Sequence, residues 1–294
     1  GGLSTREYER CAEAVPEAME VYRVGSEASG LDLRKLCFDS PLDELVQTEV
    51  QQPALVATSL AVLAALNARG IAPDYVVGHS VGEFAAIAAA NSIDTSAAIG
   101  LVRERGLAIA VAARESDGTM AAILGLDDEV VEELCAEIEG VWPANYNCPG
   151  QIVVSGEEGA VEKLIHKATA LGARRAVKLK VSGAFHSPLV EKAAEMLKPA
   201  VERVRFADPV APFMSTVTAK IEPAQRMAGL LVNQVTAPVK FTQAAQGLVK
   251  EGVKTFVEVG PGNVLSGLLK RIDKTVKAVS VNNVAGLKKV EESI

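Results

Sequence analysis

Short apolar runs alternate along this chain with longer stretches whose apolar residues recur at helical spacing, and that alternation predicts an α/β fold. Residues 7–28 read as helical, with Pro16 marking a break. Residues 52–69 are rich in alanine and leucine and run into Gly70, the pattern of a helix closed by a left-handed glycine. Residues 75–77 form a short apolar strand before Gly78, and residues 80–91 and 95–113 return to helical spacing.

The texture changes over residues 118–182. Residues 120–124 predict a strand, and 127–139 a helix whose leading acids Asp127 and Asp128 suit the positive end of its dipole. Residues 141–146 and 151–155 read as strands joined through the turn Asn147-Cys148-Pro149-Gly150. A helix over 158–171 ends at Gly172. Residues 176–181 then alternate valine or leucine with lysine, the period of a half-exposed strand. The order β-α-β-β-α-β is that of a ferredoxin-like unit. The domain reading is an inserted small subdomain, 118–182, in an α/β-hydrolase-like body with a parallel sheet, 1–117 and 183–294. The body resumes with helices at 187–204, 241–251 and 264–272 and strands at 213–216, 255–259 and 276–281.

Composition narrows the function classes. The chain has 294 residues, 49% hydrophobic, with a net charge of −7 and its acids and bases interspersed. A nucleic-acid groove would need a basic stripe, which is absent from the sequence. The longest apolar run, near residues 54–66, is interrupted by Thr58 and Ser59 and is too short to span a bilayer, so no membrane is expected. The four cysteines, Cys11, Cys37, Cys135 and Cys148, are scattered with no C-x-x-C pair; reduced structural thiols are the expectation, and neither a zinc site nor a disulfide framework.

The chemistry concentrates at Gly78-His79-Ser80-Val81-Gly82. A Gly-x-Ser-x-Gly turn between a strand and a helix is a nucleophile elbow, which presents the serine hydroxyl at the helix N-terminus. Backbone N–H groups there stabilise developing negative charge, and the N–H of Val81 is the natural donor. The plainer reading is a tight βα turn with a capping serine. A nucleophilic serine needs a base, and the sequence offers three histidines. His166 sits mid-helix between charged neighbours and reads as solvated. His79 adjoins the serine and reads as support for the elbow. His186 lies on a loop between the insert and the next helix, where catalytic residues concentrate; its plainer reading is a locally bonded helix-entry histidine.

These stretches carry a family resemblance. "GHSVGEFAA" at 78–86 with "GAFHSPLV" at 183–190 resembles the malonyl-CoA:acyl carrier protein transacylases, the acyltransferases of fatty acid and polyketide synthesis. "QPAL" at 52–55, "VRERG" at 102–106, "NCPGQIVVSG" at 147–156, "PVKF" at 238–241 and "EVGPGNVLSGL" at 258–268 agree in order, so the resemblance covers nearly the whole chain. It implies that Ser80 attacks the thioester of malonyl-CoA and that His186 takes and returns its proton. Arg105 would grip the malonyl carboxylate, for which a planar guanidinium is better suited than lysine. Gln234 matches the position whose backbone carbonyl orients the histidine in place of an aspartate. His79, Val81 and Asn147 complete the implied substrate site.

The resemblance further implies transfer to the phosphopantetheine thiol of an acyl carrier protein, with no metal or bound cofactor, by a cytoplasmic monomer, an organelle being the alternative location. A serine thioesterase or hydrolase, and a non-catalytic acyltransferase-like docking module, are the competing readings. Lys178 and Lys180 are the expected docking charges for an acidic carrier. Two departures stand out. Members begin with a strand and a "PGQGSQ"-like loop that this sequence lacks, so the sequence is expected to be truncated. Ile109 and Ala110 stand where members often carry methionine and glutamine.

Overall fold

The computed structural model describes residues 15–181, 183–282 and 284–292. Pro16 opens rather than breaks its helix: α1 spans Pro16–Ser29 with the proline in the first turn, where its missing N–H costs nothing. The part of that predicted helix before residue 15, and Cys11, lie outside the described residues. Two short helices, α2 (Leu33–Phe38) and α3 (Leu42–Leu45), lead into α4 (Thr48–Asn67).

By length and composition α4 is apolar enough to cross a membrane, longer than its interrupted sequence suggests, but 61% of its most apolar window is buried inside the protein. It is a core helix, packed on α1 and on α6 (Thr95–Glu115). Gly106 permits that close approach: a Cβ there would lie 2.7 Å from the Glu49 Cα.

Strand β1 (Val76–Val77) delivers the chain to α5 (Gly82–Ala89). β1 pairs in parallel with β6 (Phe213–Ser215), which pairs antiparallel with β7 (Lys220–Glu222). β8 (Thr255–Val259) and β9 (Lys277–Val281) form a separate parallel pair. The expected parallel sheet of the body is therefore present among the described residues as two short pieces, one with an antiparallel edge strand. Helices α9 (Glu191–Glu202), α10 (Ala224–Asn233), α11 (Phe241–Lys250), α12 (Val264–Ile272) and α13 (Val284–Glu291) complete this part. The predicted helix 187–204 opens instead with a 3₁₀ turn over Pro188–Val190 before α9. The sequence reading missed α2, α3, β7, α10 and α13, all elements of ten residues or fewer.

Residues 118–178 carry a second sheet. Strands β2 (Gly118–Leu124), β3 (Val141–Cys148), β4 (Gln151–Glu157) and β5 (Arg175–Lys178) lie in the order β3-β4-β2-β5, antiparallel throughout. The β3–β4 connection is tighter than the four-residue turn expected. Cys148 still pairs with Gln151, so Pro149-Gly150 alone makes the turn, with Gly150 at φ 70°. Helices α7 (Asp128–Glu137) and α8 (Glu158–Ala170) cover one face with Ile123, Val131, Leu134, Ile152, Val154 and Leu164 between them. The other face, built on Met120, Ala144 and Val153, turns toward Phe185 and Leu179. The period of two along β2 thus divides Met120 from Ala121 and Ile123: one face makes a core, the other a wall of the site.

Candidate active site

The elbow is made by steric necessity. A Cβ on Gly78 would lie 2.1 Å from the Gly82 carbonyl carbon and 2.3 Å from the Glu83 nitrogen, so strand and helix meet only if residue 78 is glycine. Ser80 at the apex takes φ 53°, a left-handed conformation costly for a side-chain-bearing residue. Its carbonyl accepts the Glu83 N–H at 3.0 Å, so the hydroxyl stands at the start of α5.

His186 also has positive φ, 57°, and is 5% exposed. Its Nε2 lies 2.8 Å from Ser80 Oγ. Its Nδ1 faces two backbone carbonyls, Gln234 O at 2.8 Å and Ala237 O at 3.1 Å. Two acceptors on Nδ1 hold the proton there and leave Nε2 as the acceptor for the serine proton. The His186 N–H donates to Val235 O as well, so both backbone and ring are fixed by residues 234–237.

Arg105, on α6 and 3% exposed, reaches the same hydroxyl: its Nη2 donates to Ser80 Oγ at 3.1 Å. Its Nη1 donates to Gln52 Oε1 at 2.6 Å, and Gln52 in turn donates to Thr48 Oγ1 at 2.8 Å. Burial lowers the Arg105 pKa to about 10, opposed by the charge of Glu83. At neutral pH the guanidinium is therefore still charged. Burial also drives His186 down to about 3, with the Arg105 and His79 charges adding to the effect. The imidazole is neutral in the working range, the form a general base requires.

His79 bonds to a residue other than Ser80. Its Nε2 lies 2.9 Å from Asn147 Oδ1 on β3, its ring packs on Phe241, and burial lowers its pKa. The pair ties the elbow to the second sheet. Further bonds reinforce the joint: Tyr146 N–H to Val239 O, Val239 N–H to Ala144 O, and Thr242 Oγ1 to Tyr146 O. His166 is exposed.

A cleft of about 280 Å³ opens between the sheet of residues 118–178 on one side and the elbow, α4 and α6 on the other. His79, Ser80, Val81, Arg105 and His186 line it, with Met120, Val153, Leu179 and Phe185 as an apolar wall and Ile109 beside Arg105's helix face. The structure thus gathers Ser80, His186, Arg105, Val81 and His79 around one space; Gln234 and Asn147 stand behind His186 and His79. Lys178 is ion-paired with Glu158, which neutralises one of the two expected docking charges; Lys180 is exposed.

Sequence reasoning missed two buried polar residues. Gln52 holds Arg105, and the signal was its place before Pro53 at a helix turn facing α6. Glu83, fully buried, accepts from the Thr216 N–H at 2.6 Å, Thr216 Oγ1 at 3.0 Å, Ser215 Oγ at 3.1 Å and Gln234 Nε2 at 2.6 Å. A carboxylate three residues after an elbow serine, in an otherwise apolar helix, was the available sign.

The mixed α/β fold sets an elbow serine against a buried histidine and a buried arginine, and the chain belongs to the acyl transferase domain family, which it matches over residues 9–293. The relatives it resembles are malonyl CoA-acyl carrier protein transacylases. It is 40% identical over 276 residues to that of Bacillus subtilis, covering 92% of this chain and 87% of the relative. It is 36% identical over 277 residues to that of Staphylococcus aureus, covering 92% and 89%. Among solved structures, the transacylase of Xanthomonas oryzae superposes with a TM-score of 0.94 at 37% identity, over 100% of this chain and 95% of that one. A malonyl-transacylase in complex with its type II PKS acyl-carrier protein superposes with a TM-score of 0.93 at 37% identity, over 97% and 94%.

Proposed function

We propose that the protein transfers a malonyl group from malonyl-CoA to the phosphopantetheine thiol of an acyl carrier protein through an ester on Ser80. The observation that carries this reading is the convergence on one oxygen: Ser80 Oγ lies 2.8 Å from a neutral imidazole nitrogen and 3.1 Å from a buried guanidinium. The first contact is what a nucleophile needs; the second is what an acyl group bearing a free carboxylate needs.

In this mechanism Ser80 Oγ attacks the thioester carbonyl carbon as its proton passes to His186 Nε2. The Val81 N–H, at the start of α5, receives the developing oxyanion. The tetrahedral intermediate collapses, the C–S bond breaks, and CoA sulfur leaves with the proton from His186. The carrier thiol then gives its proton to His186, attacks the ester carbonyl and restores the Ser80 hydroxyl. The carbonyls of Gln234 and Ala237 hold the imidazole in the required tautomer throughout, in the role an aspartate plays in a Ser-His-Asp triad. Arg105 binds the malonyl carboxylate, and Gln52 steadies Arg105.

The domain reading follows the same lines. The proposed unit 118–182 is ferredoxin-like, supported by the strand order β3-β4-β2-β5 over residues 118–178 and their own apolar core, and it is set in an α/β-hydrolase-like body. The His79–Asn147 bond and the strand-like contacts to Val239 fasten the two together. Cys37, Cys135 and Cys148 are buried free thiols, which suits a reducing cytoplasm. A thioesterase would have no use for a cation held on the nucleophile by Gln52.

The test is intact-mass measurement after brief exposure to malonyl-CoA, with Ser80→Ala in parallel. A malonyl adduct on the unmodified chain that is absent from Ser80→Ala is the expected result. Free malonate without an adduct would favour hydrolysis, and neither product would leave the non-catalytic reading.

A further inference from the structure

His186 is held by a backbone carbonyl at the end of a helix, and nothing in a carbonyl's own chemistry prevents that segment from sliding. What fixes it lies one layer deeper. Gln234, 2% exposed, follows α10, and its side chain points away from His186. Its Nε2 donates to Glu83 Oε2 at 2.6 Å, while its Oε1 has no hydrogen-bond partner among the described residues. Glu83 lies one turn into the helix that Ser80 begins, and its other oxygen is held by Ser215 and Thr216 at the end of β6. Thr216 Oγ1 also reaches the carbonyl of Gly78, at 3.3 Å, inside the elbow.

One buried carboxyl thus joins three pieces of chain that are far apart in sequence: the elbow that carries the nucleophile, the strand beside it, and the segment that holds the base. We infer that Glu83 is a positioning residue for the acyl transfer, setting the Ser80–His186 distance through the Gln234 side chain. Glu83 does not line the cleft. A carboxyl group buried in an apolar core costs free energy unless its hydrogen bonds are made, and here its hydrogen-bond partners are Ser215, Thr216 and Gln234. A substitution that cuts the Gln234 link leaves the Gln234 carbonyl in place but frees the segment that carries it.

The inference rests on the reading of Ser80 and His186 as nucleophile and base. The experiment separates the two. The rate of Ser80 malonylation is measured in single turnovers over a range of malonyl-CoA concentrations for the unmodified chain, Gln234→Ala, Glu83→Ala, the double variant and Glu83→Gln, with the thermal midpoint of each. Gln234→Ala keeps the carbonyl on His186 and removes only the anchor. It is expected to slow the saturated rate about tenfold to a hundredfold, a part of what a general base contributes, with the half-saturating concentration unchanged because Arg105 is untouched. Glu83→Ala is expected to fall by the same factor and the double variant no further. Glu83→Gln is expected to recover to within about threefold, because the unpartnered Gln234 Oε1 can accept from the new amide once the Gln234 amide turns over.

Malonylation of Gln234→Ala at the parent rate would overturn the inference, even if Glu83→Ala fails to fold. So would singles whose losses multiply in the double variant, or a Glu83→Gln as slow as Glu83→Ala. No Ser80 ester on the unmodified chain would overturn the functional reading and this inference with it.

Discussion

Arg105 Nη2 donates to Ser80 Oγ at 3.1 Å, so the guanidinium proposed to bind the substrate's carboxylate lies within hydrogen-bond reach of the proposed nucleophile. A malonyl ester on Ser80 carries a carboxylate that can pair with this guanidinium, whereas an acetyl ester has none. Arg105→Ala is therefore expected to lose malonyl transfer by at least about a hundredfold, the scale of a lost charged hydrogen-bond pair of about 3 kcal/mol, with acetyl transfer unchanged or faster. Arg105→Lys is expected to recover little, since an ammonium cannot make the two parallel bonds. The check is kcat/KM with malonyl-CoA and acetyl-CoA for the three proteins. Equal losses for both substrates would remove Arg105 from carboxylate recognition.

Acid should destabilise the protein through its buried histidines. The folded-state pKa of His186 is about 3, and that of His79 is lowered in the same direction, against about 6.5 unfolded. Between those values the unfolded chain binds more protons than the folded one. Stability from His186 is fully present above pH 6.5 and falls as pH drops toward 3, by up to about 1.4 kcal/mol per pH unit, and His79 adds a loss of the same sign. Urea unfolding at pH 7.5, 6 and 5 measures the slope. His186→Gln should flatten it; an unchanged slope would place the acid sensitivity elsewhere.

The two glycines of the elbow should behave oppositely. A Cβ on Gly78 meets backbone at 2.1 Å, whereas a Cβ on Gly82 meets nothing within 4 Å. Gly78→Ala is expected to lower stability by about 3 kcal/mol or more, the cost of a backbone displaced around a tight turn, and to abolish Ser80 acylation. Gly82→Ala, in the first turn of α5, is expected to be neutral or stabilising by up to about 1 kcal/mol. Thermal unfolding of the pair gives the comparison. A similar loss for both would mean that the turn is set by backbone freedom rather than by the strand–helix approach.

Asn147 should matter although it stands behind the nucleophile. Asn147→Ala leaves His79 Nε2 without its partner in a buried setting and cuts one of the ties between the sheets. The expected cost is about 1–3 kcal/mol of stability. The acylation rate should fall with the elbow's alignment, while Asn147→Asp, which keeps an acceptor, should lose less. Parent-like stability in Asn147→Ala would show that His79 finds another partner.

Much of the local structure was written in the sequence. The alternation that continues into β5, the alanine- and leucine-rich run of α4, the amphipathic spacing of α12 and the glycine-flanked serine all follow from residue type and spacing, because backbone sterics and the burial of apolar faces act over a few residues. Those rules place Ser80 at the start of a helix and His186 on a loop with no knowledge of what lies opposite. The proline errors have the same origin: Pro16 reads as a break or as a first-turn residue depending only on where the helix begins, and Pro149-Gly150 holds a turn whose width is set by the pairing of Cys148 with Gln151. The short elements α2 and β7 were illegible because their few apolar residues are selected by neighbours distant in sequence.

The tertiary structure decided everything that depends on separations of many residues. Ser80 and His186 are 106 positions apart, Arg105 and Gln52 are 53, and Glu83 and Gln234 are 151. Composition cannot say that an ordinary-looking arginine on a helix becomes a buried cation on a hydroxyl, or that a glutamine's carbonyl and its amide serve two different partners. Packing does this: it removes water from these groups, and each must then find a partner among the few polar atoms the fold has placed within reach. The sequence determined which groups carry the chemistry; the packed fold decided which of them meet.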